Sequence, residues 1–89
     1  MQTDNTAEIG EIGQIDRKIL VALSGFNNVR IFTHKVASLA GIGEQLALYH
    51  LTELEISGLV RGNGKERDEA SWELAHAGRG YLVKQGLLA

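Results

Sequence analysis

Between Gly41 and Gly58 the chain reads GIGEQLALYHLTELEISG, and this stretch sets what the rest can fold around. Ala47, Leu48, Leu51 and Leu54 recur at the α-helical period, with Leu59 just beyond. One face of a helix running from Gly43 or Glu44 to about Ser57 must therefore be buried. Gly58 supplies the C-terminal stop. Gly41 ends the helix before it, HKVASLAG, and Ile42 is placed to plug the turn. In that earlier helix Val36, Ala37 and Leu39 are expected inward, and His34, Lys35 and Ser38 outward. Two short apolar-faced helices joined by a glycine turn need further elements to cover them.

The flanking sequence supplies those elements. QIDRKILVALS carries Ile15, Ile19, Leu20 and Leu23 at three- and four-residue spacing, which predicts an amphipathic helix ended at Gly25. VRIF is short, β-branched and aromatic and suits a brief strand. Thr33 is then placed to cap the next helix by accepting a backbone N–H. LVRG and SWELA read as strands joined by NGKERDEA, a charged hairpin tip opening on Asn-Gly. HAGRGYLVKQGLL is a last helix of weak propensity, because Gly78 and Gly80 each cost about 1 kcal/mol relative to alanine. Tyr81, Leu82 and Val83 must supply its packing. The expected class is mainly α with a small β-hairpin (α+β), in the order α-β-α-α-β-β-α. Residues 1–13, MQTDNTAEIGEIG, read as an acidic flexible tail in which Ile9 and Ile12 are free to pack on the domain or a partner. Residues 14–89 form the domain.

Composition excludes several functions. At 89 residues the natural expectation is one small domain, with little room for a deep catalytic cleft. The absence of cysteine rules out disulfides and thiolate metal sites. His34, His50 and His76 fall on separate elements without a His-x-x-x-His pair, so no metal site is expected. No nucleophile elbow or paired catalytic carboxylates appear, and GIG and GNG lie outside any strand–loop–helix nucleotide motif. Neither enzymatic activity nor a cofactor is expected. No apolar run approaches the roughly 20 residues of a spanning helix, and the start lacks the build of a signal peptide, so no membrane contact and a cytoplasmic location are expected. The net charge is −2. Of the 11 acidic residues three, Asp4, Glu8 and Glu11, lie in the first thirteen positions, leaving eight against nine basic ones.

Three segments carry a resemblance. VASLAGIG matches a helix-turn-helix junction, in which small residues and a glycine let two helices cross closely. LYHLTELEISGLV matches a recognition helix running into a first wing strand. SWELAHAGRGYL matches a second wing strand and the start of the last helix, with Ala75 where relatives often carry a threonine cap. Together, from about Ile15 to Leu82, the chain resembles winged helix-turn-helix domains of ArsR- and MarR-type bacterial transcriptional regulators.

The resemblance implies double-stranded DNA as partner, with helix 44–57 in the major groove and wing 59–74 on the backbone. Carried over by position, the base-contact candidates are Gln45, Leu46, Tyr49 and His50, with Glu53 on the same face. The phosphate-contact candidates are Arg30, Lys35, Arg61, Lys65 and Arg67. In many relatives the terminal helices form a homodimer, which makes Tyr81, Leu82, Leu87 and Leu88 the interface candidates; the same residues would equally complete the monomer core. One feature opposes DNA. From Gly43 to Ser57 there are three glutamates, Glu44, Glu53 and Glu55, and no lysine or arginine. The arginine-to-guanine contact is therefore lacking, and the wing adds Glu66, Asp68 and Glu69. A protein-interaction winged helix, an adaptor that no longer reads bases, fits that acidic helix.

Overall fold

The computed structural model describes residues 12–27 and 29–88. Among them the order is α1 (Gln14–Ser24), β1 (Ile31–Phe32), α2 (Thr33–Ala40), α3 (Glu44–Ile56), β2 (Val60–Gly62), a 3-10 turn (Arg67–Glu69), β3 (Ser71–Leu74) and α4 (His76–Lys84). The expected order holds. The fold is α+β, four helices with a three-stranded antiparallel sheet ordered β1-β3-β2. Most of the expected tail lies outside the described residues. Its last apolar residue, Ile12, is half-buried against the core.

Helix α1 packs Ile19, Leu20 and Leu23, all essentially inaccessible, against Val36 and Ala37 of α2, Ala47, Leu51 and Leu54 of α3, and Leu82 of α4. The inner sheet face closes the core with Ile31, Val60, Trp72 and Leu74. The α2–α3 turn is tight because Gly41 adopts φ 73°, a left-handed conformation that side chains disfavour. Its geometry lets the Ile42 N–H reach the Ala37 carbonyl at 3.0 Å. Ile42 then packs half-buried against the core, as its position in the sequence required.

Helix α4 lies against the start of β2. The Ala75 N–H donates to the Leu59 carbonyl at 3.0 Å, and a Cβ built on Gly78 would stand 2.2 Å from that same oxygen. Glycine at 78 is the condition for this approach, which outweighs its poor helix propensity. Ala75 opens α4 without a side-chain cap.

Two local expectations are corrected. Thr33 does not cap α2. The N-cap is Phe32, and the Thr33 hydroxyl instead accepts the Trp72 indole N–H at 2.8 Å and lies 3.4 Å from the Ala70 carbonyl, to which it donates. A buried indole N–H needs an acceptor more than an exposed helix end needs a cap. Leu39 points outward, 48% exposed, while Ala40 takes the inward place, because eight residues of helix offer only two turns of buried face. Helix α1 ends at Gly25 as expected, with that residue in right-handed geometry.

The Thr33–Trp72 bond gives a measurable prediction. Thr33→Val keeps the shape but removes the acceptor, which leaves a buried donor unpaired and costs about 1–3 kcal/mol. Thr33→Ser should recover most of that loss. Trp72 is the chain's single tryptophan, so its fluorescence during urea unfolding reports both variants. An unchanged midpoint for Thr33→Val would show that the hydroxyl contributes nothing.

Candidate nucleic-acid interface

With Ala47, Leu51 and Leu54 buried, the opposite side of α3 presents Gln45, Tyr49 and Ile56 to solvent, flanked by Leu46, Thr52 and Glu53. Tyr49 is 60% exposed, Ile56 76% and Leu46 42%. This row is apolar and amide in character, with one carboxylate on it. The three glutamates have separate situations. Glu55 Oε2 accepts the Gly62 N–H at 3.2 Å and so ties α3 to the wing. Glu44 occupies the first turn, where the helix dipole favours an anion. Glu53 alone projects from the row.

His50 lies elsewhere. It is half-buried, with Nδ1 2.7 Å from Asp16 Oδ1 of α1, so the proton assigned to that nitrogen is donated across the α1–α3 seam. The Tyr49 ring meets its edge at 5.2 Å and 87°. The bond turns His50 toward α1, off the outward row, and makes it a tether between helices. Its register position suggested a base contact, because sequence spacing cannot register a carboxylate 34 residues away.

The wing is organised by Asn63. Its Oδ1 accepts the N–H groups of Lys65 and Ser71, both at 3.1 Å, and its Nδ2 donates to the Glu69 carbonyl at 2.9 Å. Asn-Gly marked the turn, but these bonds across the hairpin were not legible. Arg67 sits at φ 54°, unusual for a residue with a side chain. Between α3 and the wing runs an open cleft of about 430 Å³, with Leu48, Thr52 and Glu55 on one wall and Lys65 and Arg67 on the other. Arg67 also borders a recess beside Glu44 and Gln45 at the α3 N-terminus.

The five candidate cations divide between two faces. Arg61 is the cross-strand partner of Glu73, and Gly62 of Trp72. A Cβ on Gly62 would lie 2.9 Å from the Trp72 ring and 3.1 Å from Glu55 Oε2, so that parity of the sheet looks toward α3. Arg61 and Glu73, one residue along, face the other way. There Glu73 Oε2 holds Arg30 Nη2 at 3.1 Å and Arg61 Nε at 3.6 Å. Lys65 and Arg67 are exposed at the cleft and Lys35 is exposed on α2; none makes an ion pair among the described residues. Glu66, Asp68 and Glu69 are exposed on the wing beside them.

Of the four interface candidates, Leu82 is wholly buried and Leu88 is half-buried on the core. Tyr81 is half-buried, its hydroxyl accepting from Arg17 Nη2 at 3.4 Å. Leu87 is exposed and shares a groove of about 590 Å³ with Val21 and Leu39, bordered by Arg17 and Lys18. Val21 and Leu39 were not among the interface candidates. Leu39 escaped because its helical spacing favoured the core. Among the described residues no group of three or more metal-ligating side chains comes together, and no helix is long and apolar enough to cross a membrane.

Solved structures share this architecture. A MarR family transcriptional regulator from Silicibacter pomeroyi superposes with a TM-score of 0.75 over 91% of this chain, at 14% identity. ZitR, a zinc-responsive MarR family member from Lactococcus lactis, superposes with a TM-score of 0.68 over 85% of this chain, at 15% identity. The chain spans about half of each, 52% in both cases. At such identities the likeness establishes the winged-helix fold. No protein-family model matches the sequence, and no curated protein matches it.

Proposed function

We propose that this winged helix is the DNA-binding module of a transcriptional regulator, with α3 in the major groove and the wing on the backbone. The observation that carries this reading is the cleft itself. Thr52, at the edge of the exposed row of α3, lines it opposite the wing cations Lys65 and Arg67, and Arg67 also borders Gln45 of that row. Gln45, Leu46 and Tyr49 are the base-contacting residues, and Lys35, Lys65 and Arg67 hold phosphates. Arg30 and Arg61 take a lesser part, since Glu73 engages both. His50 acts through Asp16 in fixing α3. The module works as a homodimer in the cytoplasm, because two modest half-site contacts act jointly on one duplex. The exposed Leu87, Val21 and Leu39 offer apolar surface for that pairing. A mobility shift with duplex DNA at low and at moderate salt tests the reading. A shift that weakens steeply with salt is expected, and no shift even at low salt would refute it.

A second reading is favoured by one observation: Leu46, Tyr49 and Ile56 form an exposed apolar row on α3 that bears no cation. An adaptor would dock a protein partner there. Leu46→Ala and Tyr49→Ala would then weaken a protein complex and leave DNA association unchanged. Loss of DNA association in either variant contradicts the adaptor.

A further inference from the structure

Resting on the DNA reading above, we infer that α3 selects A·T base pairs and recognises the 5-methyl group of thymine. The major-groove edges differ in what they ask of a protein. Guanine shows two acceptors, N7 and O6, matched best by the paired donors of arginine or by lysine. No such group exists between Gly43 and Ser57. Adenine shows N7 and N6, matched by a carboxamide, and Gln45 supplies one at the exposed start of α3. Thymine shows O4 and an apolar methyl, and Leu46 and Ile56 are apolar and unpartnered at 42% and 76% exposure. Tyr49 stands between them on the same side of the helix. At about 1.5 Å per residue, Leu46 to Ile56 spans about 15 Å of helix axis, or four to five base-pair steps at about 3.4 Å.

The remaining polar groups do not alter this preference. His50 is held by Asp16, Glu55 by the Gly62 N–H, and Thr52 Oγ1 donates to the Leu48 carbonyl at 2.8 Å. Glu53 is the one ionised group left on the row. It accepts from an amino group, N6 of adenine or N4 of cytosine, so it favours neither pair, and phosphate repels it. The face is thus short of donors and rich in methyl-sized apolar contacts.

The test uses three duplexes of equal length at low salt: alternating dA and dT, the same with deoxyuridine for every thymidine, and alternating dG and dC. Fluorescence anisotropy of the unmodified protein should give an affinity for the dA·dT duplex about tenfold above that for dG·dC, the scale of one good base-edge contact. Deoxyuridine, which lacks only the methyl group, should lose about three- to tenfold of that affinity. Leu46→Ala should shrink the thymine–uracil difference and leave the salt dependence unchanged, because phosphate contacts are untouched. Equal affinity for the thymine and uracil duplexes, or preference for dG·dC, overturns the inference while DNA binding stands. Absence of binding to all three overturns the DNA reading itself, and the inference with it. The duplex comparison needs no variant, so it is decisive whatever Leu46→Ala does to the fold.

Discussion

Gly78→Ala is expected to lower the stability of the domain by about 3 kcal/mol, although alanine is the better helix former. The new methyl group would meet the Leu59 carbonyl oxygen at 2.2 Å and Leu74 Cδ1 at 2.8 Å. The first obstacle is backbone, held by the Ala75 N–H, and cannot swing aside as a side chain would. Relief therefore requires α4 to lift from β2, which exposes Leu82 and loosens Leu74. Gly80, two residues on in the same helix, is the control. A Cβ there meets nothing within 4 Å, so Gly80→Ala should raise stability by up to about 1 kcal/mol. Urea unfolding followed by Trp72 fluorescence separates the two. Stabilisation of similar size in both variants would mean that α4 does not pack as described.

Lys65→Ala/Arg67→Ala is expected to weaken duplex binding on the order of 10- to 100-fold at low salt. It should also reduce the salt slope by about 2, since each cation removed leaves one phosphate with its own counterion. Arg30→Ala/Arg61→Ala removes the same formal charge but should cost only about threefold. Those two guanidinium groups point to the sheet face turned from α3, and Glu73 already offsets part of their charge. The comparison separates position from net charge, since both double variants end with the same total. A larger loss from Arg30 and Arg61 would place the nucleic acid along the outer face of the sheet and would refute the cleft as the phosphate site. In the same measurement Glu73→Gln should strengthen binding slightly and steepen the salt slope by up to about 1, because two arginines lose their internal counterion. The ion pairs themselves are worth little to stability, about 0–1 kcal/mol each, as Arg61 is mostly exposed.

The acidic α3 is less hostile to a polyanion than its composition implies. Glu55 is committed to the Gly62 N–H and Glu44 sits at a helix start, which leaves Glu53 as the carboxylate on the outward row. The cations are fewer than a count suggests for a related reason. Arg30 and Arg61 satisfy Glu73 first. The Glu55 bond and the Glu73 pairings depend on where the strands settle, and neither leaves a mark in composition or spacing.

What the sequence determined by itself was local and periodic. Apolar residues at helical spacing placed α1 and α3, glycine closed the α2–α3 turn, and Asn-Gly with flanking β-branched and aromatic residues marked the hairpin. These signals are legible because a helix or strand buries one face of a fixed period whatever it packs against. The tertiary structure alone decided which polar groups are free. Whether Arg61 or Gly62 looks toward α3 depends on strand parity against β3, where a slip of one residue exchanges the two faces. Whether His50 reads DNA or clamps α1 depends on where Asp16 arrives after two helices have packed. Thr33 likewise serves Trp72, 39 residues away, because only the assembled core brings a buried indole within reach of its hydroxyl.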